Sequence, residues 1–114
     1  MDGGPPGRAD SWSFGVVREA RSVLLEPFVP TISQFFGIVI RMYFDDHAPP
    51  HFHAYYGDHD AAVRIAPAGL IAGALPPRAL GLVVEWARIH ECALLANWEL
   101  ARRSRPLDLI PPLE

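Results

Sequence analysis

A long apolar stretch near the carboxyl end of the chain limits the possible folds more than any other feature of the sequence. Pro76 and Pro77 suit the first turn of a helix, which we expect to run to about Arg103 and to end before Pro106. Its polar side chains occupy a narrow stripe, whereas leucine, valine, isoleucine and tryptophan cover most of the remaining surface. A helix with this distribution is buried on more than one side. Other parts of the chain must therefore pack against it from several directions.

The length of this helix is a second constraint. At 1.5 Å per residue it spans roughly 40 Å, about twice the length of a typical strand, so a small sheet cannot cover it all. We expect the apolar tail, residues 106–114, to fold back over part of the excess and a partner to cover the rest. The surface left for that partner is predicted near four helix residues, Trp86, Ile89, Ala93 and Leu100.

Upstream of the helix, four segments alternate apolar and polar residues or are rich in β-branched and aromatic side chains, which is typical of strands. They are Phe35–Phe44, Phe52–Tyr56, Asp60–Ile65 and the weaker Leu70–Leu75. Turn-forming residues such as Gly57-Asp58 lie between them. Because the connections are short, successive strands are expected to pair antiparallel. The sequence thus predicts an α+β fold, an antiparallel three- to four-stranded meander packed on one long C-terminal helix.

The chain of 114 residues suffices for one domain, which we place at residues 29–114. Half of the residues are hydrophobic and the net charge is −3, so the composition is globular, with no general attraction for nucleic acid. The single cysteine, Cys92, excludes an internal disulfide and suits a reducing compartment. The first residues lack the basic and apolar regions of a signal peptide. These features predict a cytoplasmic protein without a membrane span.

Residues 1–28 differ in composition and residue pattern from the rest of the chain. They begin rich in glycine and proline, and Phe14–Leu25 has room for only two or three helical turns, which is marginal for an isolated helix. We therefore expect residues 1–28 to be a poorly ordered extension. Valine can be encoded by GTG, a common bacterial start codon, so we hypothesise that translation begins at Val29.

Four of the five histidines fall in residues 47–59, a segment that enters the second predicted strand through a pair of prolines. Alternate side chains of a strand share a face. His51, His53 and Tyr55 are therefore expected on one face of this strand, and Phe52, Ala54 and Tyr56 on the other, toward a core.

The same alternation in the neighbouring strands defines one polar side of the sheet, expected to lie in solvent and away from the helix. This histidine face carries Arg41, Tyr43, His51, His53, Tyr55 and Arg64. Arginine suits phosphate and tyrosine suits base stacking, so the face favours an anionic ligand such as RNA, bound by its arginines and tyrosines. Histidine titrates near neutral pH, which makes His51 and His53 the candidate acid and base of a ribonuclease-type reaction.

Metal binding is a second interpretation of the same segment, with zinc as the expected cofactor. The candidate ligands are His47, His51, His53 and Asp46, with Asp45 or His59 as further choices. A third interpretation is a polar sheet surface whose histidines hydrogen-bond to the Asp45-Asp46 turn. The RNA interpretation requires no cofactor, and the spacing of the histidines is compatible with all three.

Several short motifs are together specific to one protein family, namely Pro30-Thr31-Ile32-Ser33, Pro50-His51-Phe52-His53 and Asn97-Trp98-Glu99-Leu100-Ala101. Over residues 29–114 the chain resembles this family, the small bacterial proteins known as domain of unknown function 4160. The resemblance implies a compact cytoplasmic protein, often encoded beside a second small protein in an arrangement similar to toxin–antitoxin pairs. No catalytic residues are established for the family, so none are carried over. Members commonly begin with methionine at the position of Val29.

The sequence and the resemblance lead to the hypothesis of a bacterial protein in a toxin–antitoxin-like two-gene module, with RNA-directed activity on the histidine face. The competing hypothesis is a non-catalytic regulator or neutralising partner that binds through the long helix. The expected partners are the neighbouring antitoxin-like protein or a second copy of the chain, together with RNA and without a membrane.

Overall fold

Five short strands form one antiparallel sheet in the computed structural model, which describes residues 31–44 and 46–114. The strands are β1 (Thr31–Phe35), β2 (Ile38–Arg41), β3 (His51–Tyr56), β4 (His59–Arg64) and β5 (Gly69–Gly73). They pair in sequence order, so β3 is central and β1 and β5 form the edges. The α+β class and the antiparallel meander are confirmed, with one strand more than the three to four expected.

The additional strand arises at the first hairpin. The segment Phe35–Phe44, predicted as one strand, contains a two-residue loop at Phe36 and Gly37, whose φ angles are 50° and 81°. Positive φ at both positions is the pattern of a type I′ turn, whose twist matches that of paired strands. Phenylalanine is unusual in such a turn, and its preference for strands led to the prediction of one continuous strand. As a result, β1 lies almost entirely upstream of the predicted segment.

The pairing register of β3 agrees with the alternation in the sequence. His51 pairs with Arg64 of β4 and His53 pairs with Arg41 of β2. Paired residues on adjacent strands point to the same face of a sheet. All four side chains therefore share one face, whereas Phe52 and Ala54 point the other way and are fully buried. The expected burial of Tyr56 was wrong, because this residue ends β3 and is 38% exposed.

The helical region forms two helices rather than the single one expected. α1 (Pro77–Ile89) and α2 (Glu91–Arg102) meet at His90, whose φ of −109° and ψ of 29° depart from helical values. Neither proline nor glycine marks this break, so the sequence pattern predicted a continuous helix. A straight helix would extend far beyond strands of four to six residues, whereas the bent pair keeps residues of α2, among them Leu94 and Trp98, buried.

Side chains of the two helices reach opposite faces of β3. Trp86 of α1 packs against Phe52 with ring centroids 5.6 Å apart, and Trp98 of α2 packs against His51 at 5.2 Å. Because Phe52 and His51 point in opposite directions, the beginning of β3 is enclosed on both sides. Large apolar side chains of the core cluster come from β1 to β4, both helices and the C-terminal tail, and include Ile32, Ile38, Ile40, Phe52, Val63, Val83, Trp86, Leu94 and Ile110.

The C-terminal tail folds back over the helices and one edge of the sheet, as expected. The Asn97 amide donates to the Asp108 carbonyl at 2.8 Å and accepts from the Asp108 N–H at 2.9 Å. Trp86 Nε1 donates to the Pro111 carbonyl at 2.8 Å. The Ile110 N–H donates to a backbone carbonyl of β1, also at 2.8 Å. The tail thus satisfies polar atoms that Asn97 and Trp86 would otherwise bury without partners.

The apolar helix surface expected to be exposed is exposed only in part. Including Trp86 in it was wrong, because the core and the tail bury this side chain completely. Ile89 is 60% exposed, Ala93 is also exposed, and Leu100 is half-buried. The exposed apolar surface therefore lies near the junction of α1 and α2.

Some expectations fall outside the described part of the chain. The extension at residues 1–28 and the translation start at Val29 lie outside it, as does Asp45. Within the described ranges, no helix is long and apolar enough to cross a membrane.

Candidate metal centre

The carboxylate of Asp46 lies at the centre of the histidine segment, in the loop between β2 and β3. The backbone N–H of His47 donates to Oδ1 at 2.8 Å, and the ring Nδ1 of His47 lies 2.9 Å from the same oxygen. Asp side chains commonly bond to neighbouring backbone N–H groups in turns. Oδ1 of Asp46 is therefore bonded within the loop, and Oδ2 points toward β3.

His51 and His53 direct the same ring nitrogen at Asp46. Nε2 of His51 lies 3.0 Å from Oδ2, and Nε2 of His53 lies 3.3 Å from that oxygen. The ligating atoms that the three residues offer lie within 4.8 Å of one another. Strand alternation explains the convergence, because residues two apart on β3 share a face. We call Asp46, His51 and His53 the His–Asp cluster.

The hydrogen bond made by Nδ1 of His51 shows which nitrogen of this ring carries the proton. Nδ1 lies 2.7 Å from the carbonyl oxygen of Pro49, and because a carbonyl only accepts hydrogen bonds, Nδ1 carries the proton. In a neutral ring Nε2 then has a lone pair, which would face the Asp46 carboxylate at 3.0 Å and be repelled. A proton shared between the two atoms, or a metal ion bound by both, would relieve this repulsion.

The cluster is shielded from water. The side chains of His51, His53 and Asp46 are 0%, 5% and 6% exposed. Burial lowers the pKa of His53, and the hydrogen bond with Asp46 opposes this only in part. Burial alone would raise the pKa of Asp46, but hydrogen bonds with both histidines outweigh it and hold this pKa well below its usual range. The carboxylate is therefore ionised and His53 favours the neutral form, as metal ligands must.

Aromatic rings form the walls of the cluster. Trp98 packs on His51, and the Tyr43 ring meets the His53 ring edge-on with centroids 4.7 Å apart. The contact of Trp98 was not predicted from the sequence, because helix periodicity does not show which strand a helical residue meets. The available signal was the family motif that begins at Asn97 and includes Trp98.

Beyond His53 the wall continues through Tyr43 and Tyr55, whose hydroxyls hydrogen-bond to each other. Burial raises the pKa of Tyr55, and Tyr43 adds to the effect. The Arg41 guanidinium lies over the Tyr55 ring at 5.5 Å, and its Nε donates to the hydroxyl of Thr31 at 3.2 Å. Arg41, Tyr43 and Tyr55 are thus packed and bonded side chains in this structure.

The structure brings the residues of the histidine face together, but it does not leave them in solvent. The expected exposure was wrong for both histidines, because Trp98 of α2 covers His51 and Tyr43 covers His53. Arg64 is half-buried, and its Nε donates to the Pro67 carbonyl at 3.1 Å.

The other candidate metal ligands differ in their distance from the two histidines. Asp46 joins the two histidines, whereas His47 contacts the outer carboxylate oxygen and has a side chain 39% exposed. His59 is exposed, and it pairs with Tyr56 at the far end of β4, on the opposite face from His51. His59 therefore lies away from the cluster.

The sequence profile of one protein family, described as domain of unknown function (DUF4160), matches residues 37–99. The matched range contains the whole His–Asp cluster and Trp98. The chain belongs to the DUF4160 family. The resemblance based on short motifs is thereby confirmed, and membership in DUF4160 assigns no activity to the cluster. Searches of curated proteins and of solved structures gave no match.

Proposed function

We propose that this DUF4160 domain binds a divalent transition-metal ion, with zinc as the first choice, through Nε2 of His51, Nε2 of His53 and Oδ2 of Asp46. The observation that carries the proposal is the convergence of two imidazole nitrogens on one buried carboxylate oxygen. His51 has its proton fixed on the opposite side of the ring. Nitrogen and carboxylate oxygen are common zinc ligands.

The distances in the cluster suit such an ion. Zinc bonds to histidine and carboxylate measure about 2.0 to 2.1 Å, so neighbouring ligand atoms of a tetrahedral site are about 3.3 Å apart. The two Nε2 atoms lie 3.0 Å and 3.3 Å from Oδ2. Both of these separations are close to the tetrahedral value, and all three ligating atoms lie within 4.8 Å of one another.

Groups around the cluster match the usual surroundings of a metal site. A ligating histidine commonly donates its other ring N–H to a backbone carbonyl, which fixes the ring. His51 does so toward Pro49. His47 bonds the outer oxygen of Asp46 and so orients the ligating oxygen.

Three protein ligands leave at least one coordination position for water or a ligand, as in catalytic zinc sites. A bound metal supplies Lewis acidity and can activate that water. The histidines themselves are too buried to contact a polynucleotide. An RNA-directed activity of this site would therefore act through the ion.

Equilibrium dialysis with zinc tests the proposal, on full-length protein prepared without a histidine tag or chelators. We expect about one ion per chain. Asp46→Asn changes one atom and removes the ligating charge, so it should abolish retention, as should His51→Ala and His53→Ala. His47→Ala removes an outer contact and should weaken binding about 10- to 100-fold.

His59→Ala is the matched control, because it removes an exposed histidine away from the cluster and should leave zinc retention unchanged. Circular dichroism of each variant separates a lost site from a lost fold. Zinc binding that is absent from the wild-type chain, or equal in Asp46→Asn, would contradict the proposal and leave a proton as the cation between His51 and Asp46.

A further inference from the structure

We infer that the proposed metal site receives an anionic, phosphate-bearing ligand and that Arg64 is the side chain that holds it. The inference rests on the proposed metal binding, and it goes further by naming the chemical class of the ligand. It depends on the position of Arg64, on its unused hydrogen-bond donors and on the charge of the surrounding face.

Arg64 is the cross-strand neighbour of a metal-site histidine. It pairs with His51 between β3 and β4, so the two side chains leave the same face of the sheet. Directly paired residues have Cβ atoms about 5 Å apart, which brings a long arginine side chain within reach of a ligand beside His51.

The loop that carries Asp46 and leads into β3 lies next to Arg64. Ala48 and Pro49 of this loop are exposed. The following residue, Pro50, accepts a backbone hydrogen bond from Ile65 at 3.1 Å, which ties the loop to the end of β4. A ligand that approaches the cluster over this loop would therefore meet Arg64.

Part of the Arg64 guanidinium is available to such a ligand. Its Nε donates to the Pro67 carbonyl, which anchors the side chain at the end of β4. Neither terminal nitrogen bonds to any residue in the ranges 31–44 and 46–114. Arginine presents these donors in a planar fork that matches two phosphate oxygens.

A bound divalent ion would make the charge near the cluster opposite in sign to that of the whole chain, which is −3. Arg41 and Arg64 lie on the same face as the two histidines, one on each side of β3. Within residues 31–44 and 46–114, the acidic groups there are Asp46 and Asp60, the latter paired with Tyr55. With a divalent ion bound, positive charge exceeds negative charge at this face, which favours an anion.

Phosphorus-31 NMR with protein loaded with cobalt(II), a paramagnetic substitute for zinc, provides the test. Inorganic phosphate bound beside the ion should show strong line broadening, and zinc-loaded protein gives the diamagnetic reference. Arg64→Gln should weaken phosphate binding about tenfold and leave the cobalt absorption spectrum unchanged. Arg88→Gln, an exposed arginine on α1, is the matched control and should change neither property.

A second arm uses a short single-stranded oligoribonucleotide in a fluorescence anisotropy titration of zinc-loaded protein. Binding that is lost in Arg64→Gln identifies a nucleic-acid backbone as the source of the phosphate. Broadening of inorganic phosphate without oligonucleotide binding identifies a small phosphorylated molecule. Both results support the inference.

A normal cobalt spectrum without phosphate broadening, or equal phosphate affinity in Arg64→Gln, would overturn the inference and leave the metal proposal standing. Failure of the wild-type chain to bind cobalt and zinc would overturn both.

Discussion

At the scale of single residues, Asp46 joins groups that the chain brings from two places. Its carboxylate is buried, which is costly for a charge unless hydrogen bonds compensate. One oxygen accepts from His47 in the same loop, and the other faces His51 and His53 on β3. Burial alone would raise the pKa of Asp46, but hydrogen bonds and electrostatic attraction from His51 and His53 outweigh it and lower this pKa. The cluster therefore holds a negative charge at its centre, which favours a cation among its imidazoles.

We predict that the metal-free protein becomes less stable toward unfolding as the pH falls. His53 has a lowered pKa in the folded state, so the unfolded chain binds its proton more readily, and stability should fall as pH drops below about 6.5. Asp46 has a lowered pKa as well, so further stability should be lost below about pH 3.9. Both effects have the same sign.

Urea unfolding between pH 8 and pH 3 measures this dependence. His53→Gln should flatten the upper part of the profile, whereas His59→Gln, a change at an exposed site, should not. A wild-type profile that is flat, or that rises on acidification, would contradict the assignment of His53 as a buried neutral ring.

At this scale the sequence predicted which side chains share a face of the sheet, but it did not predict which of them are buried. Strand alternation correctly grouped His51, His53, Arg41 and Arg64, because the period of two is a property of the strand itself. The cover over His51 comes from Trp98, and such long-range packing leaves no mark in the local pattern of either segment.

At the scale of elements, the meander depends on tight connections, and glycine is required at one of them. Gly73 ends β5 with a φ of 77°, and a Cβ atom there would lie 2.9 Å from Cα of Ala61 and closer still to the Asp60 carbonyl. Gly73→Ala should therefore lower the free energy of unfolding by at least about 1 to 3 kcal/mol.

Gly81→Ala is the matched control for this prediction. Gly81 lies within α1, and a Cβ atom there would meet nothing within 4 Å. The same chemical change should stabilise the protein by about 0.5 to 1 kcal/mol, because alanine loses less backbone entropy in a helix. Thermal or urea unfolding of the two variants checks the opposite signs. Equal effects would show that backbone conformation is not the deciding factor.

The boundaries of the elements were the less predictable part of the fold. Strands and helical character followed from periodicity, whereas the turn at Phe36-Gly37 and the break at His90 did not. Gly37 suits the turn, but Phe36 beside it favours a strand, and His90 is neither proline nor glycine, so local propensity did not locate either feature.

At the scale of the whole molecule, the exposed helix surface near Ile89 is the remaining candidate for a protein interface. The two-gene module and the homodimer stay predictions. We predict that the full-length chain self-associates or binds the neighbouring protein through this surface, because Ile89 is 60% exposed. Ile89→Glu should then shift sedimentation toward the monomer.

Leu70→Glu supplies the control, because Leu70 is also a large exposed apolar residue, at 44%, but lies on β5. It should leave the association unchanged. A wild-type chain that sediments as a monomer at all concentrations, with and without the neighbouring protein, would exclude this interface.

The most direct test of the metal centre is X-ray absorption at the zinc edge of the zinc-loaded, full-length protein. The account predicts a first shell of nitrogen and oxygen at about 2.0 to 2.1 Å, with outer-shell scattering from two imidazole rings. His53→Ala should not retain zinc and should therefore lose this spectrum, and His59→Ala should leave the scattering of two rings unchanged. A zinc spectrum without imidazole scattering, or one that is unchanged by His53→Ala, would contradict the assignment of His51, His53 and Asp46 as the metal ligands.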